Sequence, residues 1–476
     1  MKRQFLTGPI RLTLPTALVA ALLAGCAPVG PNYQRPALGV PQDFPEPISA
    51  ETEAAIQADW WTLYQDATLN DLVAAAQKNS ADIRLAAAQL EEARAALREV
   101  DAGTYPQVDF GLTDTESRVS SVTAVPVPST VPLIRPDKRV AASTAFELDF
   151  WGRLRRGTEA ARAAALASRY GHDVVALTLA GTTAQAYFSL RSTDAQIAVT
   201  RVTLKAREES LEVVKNRASA GISSDLEVYQ AVGARSDAVL QLQDLERQRK
   251  LIEHQLGVLT GNLALRIAPG DLAQLPVPPV PPAGLPSALL ERRPDVMAAE
   301  QNLVAANARI GVAKAAMFPT ISLTGMLGGQ STDFSNLLNL PARIWSLGFG
   351  LTLPIFDAGR LSARTEQAEA RQRQSVAAYQ KAVETAFRET ADSISNLSAA
   401  TQSETELKVK VDAARQALEL ARTRYQAGYS GYLEVLDAQR TANDAELALV
   451  RNRQSRLAYS VDLMKALGGG WSAPAR

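Results

Sequence analysis

The stretch NRASAGISSDLEVYQA at residues 216–231 returns as TRYQAGYSGYLEVLDA at 423–438, with Gly221 falling on Gly428 at an offset of 207 residues. The Gly-Arg-Leu of FWGRL (150–154) returns in DAGRL (357–361) at the same offset. Toward the N-terminus, TYPQVDF (104–110) matches MFPTISL (317–323), and NSADIRLAAAQL (79–90) matches RRPDVMAAEQNL (292–303), both at an offset of 213. Repetition on this scale means one structural plan built twice. The change of offset puts six extra residues into the first copy between the matched stretches. The copies run over 66–265 and 288–467, with a linker at 266–287 and a C-terminal tail at 468–476. The linker region carries eight prolines from Pro269 to Pro294, which reads as an extended strap.

Within each copy the hydrophobic period changes. Val108, Phe110 and Leu112 alternate with Gln107, Asp109 and Gly111, and Phe146, Leu148 and Phe150 alternate with Glu147 and Asp149. The second copy has Ile321 and Leu323, then Trp345, Leu347, Phe349, Leu351 and Leu353 alternating with Ser346, Gly348, Gly350 and Thr352. Period two predicts strands, at 107–113, 144–150, 320–326 and 345–353. Each pair is joined by a loop expected to hold Pro126, Pro128 and Pro132 in the first copy, and Gly328, Gly329 and Pro341 in the second.

Proline then disappears for 132 residues after Pro136 and for 119 residues after Pro354, which predicts helices. Gly221 and Gly428 break each run into a long arm and a return arm, as glycines in left-handed turns do. A long arm over 153–217 would extend roughly 95 Å. Helices at 66–103 and 224–260 add up to one long arm, as do 288–316 and 431–467, so the helical layer has even height.

Four strands cannot close a barrel, because the smallest membrane barrels need about eight. Open sheet edges cannot lie in lipid. With one face of Phe, Trp and Leu and the other carrying Glu and Asp, the strands call for several copies sharing one wall.

The N-terminus points the same way. Lys2, Arg3 and Arg11 precede an uncharged apolar run from Leu12 to Leu23, then Ala24, Gly25 and Cys26, the layout of a secretory signal over 1–25. The run is too short to span a bilayer. Cys26 is the only cysteine, so it makes no internal disulfide, and two histidines leave little for a metal site. The order Leu23, Ala24, Gly25, Cys26 resembles the bacterial lipobox, which implies a covalent lipid on Cys26 as the one attached group, no cofactor, and an acylated extended segment over 26–65. Ala27 in place of Asp favours outer-membrane sorting within that class. Removing 1–25 leaves 47 Lys plus Arg against 50 Asp plus Glu, a net charge of −3 that argues against a nucleic-acid partner.

CAPVGPNYQRP after the lipobox, WWTLYQDATLNDLV (60–73), RRPDV (292–296), FPTISL (318–323), PIFDAGR (354–360) and GYLEVLDAQR (431–440) together resemble the TolC-like outer-membrane factors, in their acylated OprM/NodT branch. The resemblance implies a mixed α+β membrane protein: a homotrimer with four strands per subunit forming a 12-stranded β-barrel, continued by a periplasmic α-helical barrel. It implies an outer-membrane exit duct that docks a periplasmic adaptor and an inner-membrane pump of RND type. Carried over residue by residue, it makes Glu434 and Asp437 the acidic pair at the periplasmic aperture, Glu227 the acid of the first hairpin and Tyr425 the tyrosine that bonds near it. Ser430 stands where the TolC-type lock has an arginine, so the latch is weaker or built differently. Leu433 and Leu436, between the acids, either plug the opening or form ordinary coiled-coil core.

No catalytic constellation appears. His172 and His254 sit in helical sequence without a second ligand at metal spacing, and GFGLTL opens no helix and lacks the lysine of a phosphate loop. A periplasmic adaptor lipoprotein would show one hairpin between halves of a lipoyl-like domain, and a structural coiled-coil lipoprotein would lack the strands. Mass spectrometry of the N-terminal peptide should find a lipid-sized addition on Cys26. A free, unmodified amine at another residue would place the mature start elsewhere.

Overall fold

A computed structural model describes residues 28–37, 39, 59–122, 124–125, 127–128, 130–277 and 292–469. Its helices are α1 (Ala67–Asn79), α2 (Ala81–Ala102), α3 (Arg153–Ser219), α4 (Asp225–Leu259), α5 (Pro294–Ala315), α6 (Arg360–Gln426) and α7 (Tyr432–Ala466). Its strands are β1 (Gln107–Arg118), β2 (Ile134–Leu148), β3 (Thr320–Ser331) and β4 (Arg343–Thr352). The duplication holds at the level of element ends. α3 and α6 have 67 residues each and α4 and α7 have 35 each, all displaced by 207. α2 and α5 have 22 residues each and β1 and β3 have 12 each, displaced by 213. The six-residue difference therefore falls between the first strand of each copy and its long helix. Both copies contribute to each of two compact units, one of Met1–Pro36, Glu91–Ala167 and Glu300–Ala378, the other of Ala37–Leu90, Ser168–Ala299 and Tyr379–Arg476.

The first unit holds a single antiparallel sheet in the order β1-β2-β3-β4. Its register aligns Val108, Thr144, Gly325 and Leu347 in one row and Phe110, Ala142, Leu327 and Trp345 in the next. Residues directly opposite share a face, so one face gathers Phe110, Phe146, Leu323, Leu327, Trp345, Leu347 and Phe349. The other carries Asp109, Ser143, Met326 and Ser346, and Glu147, Ser322 and Gly350. Trp345 and Phe349 are 73% and 75% exposed, so the apolar face is uncovered by its own chain.

The strands run further than the apolar alternation does. β1 continues through Thr113 to Arg118 because polar residues also pair, with Lys138 Nζ 2.8 Å from Asp114 Oδ1. Pro136 lies inside β2 opposite Glu116, at a level that β3 does not reach, so its missing N–H costs no ladder bond on that side. β2 stops at Leu148 rather than 150, since the Asp149 carboxylate accepts from the amides of Leu154 (3.0 Å) and Arg155 (2.9 Å) and starts α3. Gly328 and Gly329, expected in a loop, are strand residues. A Cβ on Gly329 would lie 1.9 Å from the Leu337 carbonyl, so glycine there lets the β3–β4 connection fold back onto the strand.

In the second unit, Trp60, Tyr64, Leu69, Tyr187, Phe188, Leu256, Leu272, Leu457 and Val461 form the main buried cluster. The single helix predicted over 66–103 is two. Ser80, at ψ 142, interrupts it, and its Oγ accepts from the Asp82 amide at 3.2 Å, a local bond that competes with helix continuation. α5 starts at Pro294, where a proline has no helical donor to lose. The predicted start at 288 lies outside the described residues.

The start of the linker is gripped by arginines. Arg191 donates to the Ala268 carbonyl (2.7 Å), Arg249 to Ile267 (2.6 Å), and Arg453 to Ala273 (2.9 Å) and Leu275 (3.0 Å). Burial raises the Glu253 carboxyl, but the Ile267 amide and Arg249 outweigh it and hold it below the usual range.

Placing arginine at Phe349 should destabilise the folded protein in lipid by about 2–4 kcal/mol, the cost of a cation near the bilayer midplane on the lipid face. Arginine at Gly350, on the opposite face, should leave stability in a urea titration near that of the parent and change conductance instead. Equal effects would overturn the assignment of faces.

Candidate functional site

The residues singled out beside the glycine turns lie in the second unit. Each turn closes its helix the same way. Gly221 at φ 76° donates to the Ala218 carbonyl (2.9 Å) and Ile222 to Arg217 (2.9 Å). Gly428 at φ 81° donates to Tyr425 (3.0 Å) and Tyr429 to Arg424 (2.9 Å). This pair of reversed bonds satisfies the last helical carbonyls and needs a left-handed residue at its centre. Open space surrounds both glycine Cα atoms, so conformation and not crowding requires glycine here.

Glu227, in the first turn of α4, is the meeting point of the two hairpins. Its carboxylate accepts from the Ser223 hydroxyl, from the Tyr425 hydroxyl (3.3 Å) and from the Tyr432 amide (3.4 Å). Tyr425 packs on Tyr432 with ring centroids 5.6 Å apart, and the Arg217 guanidinium lies 4.9 Å from the Tyr425 centroid. Burial, more than any neighbour, pushes the phenols of Tyr425 and Tyr432 above their ordinary values, so both stay protonated. Leu211, Val214, Val228, Val435 and Leu436 complete the packing. Leu436 is thus core, whereas Leu433 is 64% exposed.

Glu434 and Asp437 are both exposed, and each has an arginine. Arg424 Nε lies 3.5 Å from Glu434 Oε1 across the hairpin, and Arg440 Nη2 lies 2.7 Å from Asp437 Oδ1 one turn along α7. The bond from Asp437 raises the Arg440 pKa further. Sequence reasoning placed the acids and missed these partners. The i,i+3 spacing of Asp437 and Arg440 was visible, but the Arg424 contact needs the hairpin to close. Ser430 makes no latch among the described residues, and its Oγ is buried without a partner. The bonds to Glu227 and the stack of Arg217 on Tyr425 are the contacts that join the two hairpins there. Cys26 lies outside the described residues.

Above the turns the hairpins are joined by a regular polar seam. Ser189, Gln196, Thr203 and Ser210, every seventh residue of α3, bond Gln454 (3.0 Å), Arg451 (3.2 Å), Asn443 (2.9 Å) and Gln439 (3.0 Å) of α7. A seven-residue period keeps one stripe of this part of α3 facing α7, whose partners are spaced unevenly, and polar groups on the stripe favour one alignment.

A sheet with one apolar face and two edges left uncovered among the described residues, in one chain with two long hairpins that carry charged residues beside their turns, fits the channel class of outer-membrane proteins. The profile of the family described as Outer membrane efflux protein matches residues 72–262 and 285–469. Outer membrane protein OprJ of Pseudomonas aeruginosa is 36% identical over 467 residues, covering 96% of this chain and 95% of its own. Cation efflux system protein CusC of Escherichia coli O6:H1 is 34% identical over 470 residues, covering 95% of this chain and 97% of its own. A crystal structure of CusC, which forms a transmembrane channel, superposes with a TM-score of 0.85 at 32% identity, covering 93% of this chain and all of that one. The chain belongs to the outer membrane efflux protein family. It is an outer-membrane efflux channel protein.

Tyr425→Ala should raise single-channel conductance by removing both the ring packing and the bond to Glu227. Tyr425→Phe, which keeps the ring on Arg217 and Tyr432, should raise it less. Equal increases would show that the phenolic bond contributes nothing to the closed mouth.

Proposed function

We propose that three copies of the chain complete a 12-stranded barrel in the outer membrane, continued by a helical barrel through the periplasm, and that this trimer is the exit duct of a tripartite efflux system. The observation that carries the reading is the sheet. Four strands leave β1 and β4 each with an unpaired edge, which lipid cannot satisfy, and an apolar face that lipid can cover. Four strands also fall short of the roughly eight that the smallest barrels contain. A periplasmic adaptor and an inner-membrane pump of RND type are the partners in this reading, and acyl chains on Cys26 add a second hold on the membrane. The role is conduction, not catalysis.

The hairpin turns form the periplasmic mouth. Glu434 and Asp437 of three subunits would set six carboxylates around one opening, where fixed charge selects ions by sign. Arg424 and Arg440 offset that charge within each subunit. Glu227, with Tyr425, Tyr432 and Arg217, holds the two hairpins of a subunit together when the mouth is closed.

Replacing Glu434 and Asp437 together by alanine frees Arg424 and Arg440. In planar bilayers the double variant should lose cation preference, move toward anions, and lose block by trivalent cations. Unchanged selectivity together with unchanged block would remove these carboxylates from the conducting path. An assembly mass by native mass spectrometry that is not three chains would remove the trimer.

A further inference from the structure

The ladder within one chain determines how the next chain must be placed. Gln107, which begins β1, lies in the row of Ala145, Thr324 and Gly348, four residues before β4 ends at Thr352. At the other end, Arg343, which begins β4, lies in the row of Gly329, Val140 and Leu112, six residues before β1 ends at Arg118. From β1 to β4 the strands therefore slide by about five residues toward the end where β1 starts and β4 finishes. Such a slide is what a tilted, closing barrel requires, and closure repeats it at each strand. One more step of about one to two residues brings the β1 of a second copy alongside β4, with its first residues below Thr352.

Face alternation then selects the register, because a shift of one residue would put every apolar side chain on the wrong face. Even-numbered residues of β1 must meet odd-numbered residues of β4. Resting on the trimer proposed above, we infer that Val108, Phe110 and Leu112 of one copy lie opposite Leu353, Leu351 and Phe349 of the next, which sets Tyr105 against Phe356. On the other face this register sets Asp109 against Thr352, and Gly111 and Thr113 against Gly350 and Gly348, so small residues meet where the lumen wall is.

A second feature of the chain supports the same placement. β4 ends at Thr352 and β1 begins at Gln107, and the prolines just outside them, Pro354 and Pro106, have no N–H to extend a ladder between copies. Just beyond these prolines stand Ile355 and Phe356, 91% and 89% exposed, and Tyr105, 66% exposed. Three large apolar side chains are left bare where the ladder stops and side-chain packing must take over. The second copy is the occupant of Tyr105 and Phe356, which this register sets side by side on the face opposite Ile355, an apolar collar at the foot of the subunit boundary.

Paired cysteines test the register in the full-length protein in outer membranes. Directly opposite residues bring Cβ atoms to about 4.5–5.5 Å, against about 7–8 Å on the diagonal, so oxidation discriminates a shift of two. Asp109→Cys combined with Thr352→Cys should give covalent dimers and trimers on non-reducing gels, far more than Asp109→Cys with Gly350→Cys or Pro354→Cys. Tyr105→Cys with Phe356→Cys should crosslink as well, and a fluorophore on Phe356→Cys alone should resist a lipid-borne quencher. Strongest crosslinking at position 350 or 354, in protein whose native mass is still three chains, would overturn the register while leaving the trimer intact. Quenching at 356 would make lipid the occupant and overturn the collar. A native mass other than three chains would instead overturn the trimer on which the register rests.

Discussion

Everything distinctive about this chain follows from a sheet that cannot satisfy itself. Its backbone is paired through β1-β2-β3-β4 and stops, leaving two edges of donors and acceptors. In water such edges would bind solvent or aggregate. In hydrocarbon they must be paired by protein, since each lost bond costs several kcal/mol. The apolar side chains on one face point to lipid as their medium, and the demand for more strands follows from that. An outer-membrane efflux channel is the answer that family membership and the sheet support together.

The helical part solves a different problem. Long hairpins of small residues have little large apolar surface to bury, and the second unit concentrates its bulky side chains around Trp60, Tyr64, Tyr187 and Phe188. Away from that cluster, the hairpins meet through hydrogen bonds from every seventh residue of a stretch of α3, through the Glu227 junction and through the smaller apolar cluster around Leu211, Val214, Tyr425 and Val435. Each such hydrogen bond contributes about 1 kcal/mol net, because water can replace it. Polar pairs of this kind favour one alignment of the two helices.

The arginines on the linker show how an irregular, proline-rich segment is held. Apart from one short 3-10 turn at Leu272–Gln274, the described carbonyls of its start join no regular element, and Arg191, Arg249 and Arg453 supply donors. Arg191 and Arg249 belong to the first hairpin and Arg453 to the second, so the strap bonds to both copies of the repeat. Glu404, nearly buried beside Arg453, Arg456 and Lys408, anchors the second grip.

Local chemistry was legible in the residues alone. The duplication, the two-residue alternation, the proline-free runs and the glycines at 221 and 428 each report on neighbours within a few positions, and the element ends repeat at the offsets read from the letters. Period could not show where polar strand residues keep pairing, so β1 and β2 reach further than their apolar stretches. Nor could it show that Gly328 and Gly329 are strand residues cleared for a returning loop, or that Ser80 splits a helix by capping it. Of the residues at the turns, Glu227, Tyr425, Glu434 and Asp437 were singled out through the family resemblance. Arg217, Arg424 and the different fates of Leu433 and Leu436 came only with the fold, as did the partners of the polar seam. The physical reason is distance along the chain. A turn or a strand is decided by bonds between near neighbours, whereas Glu227 and Tyr425 lie 198 residues apart and meet only after both hairpins have closed.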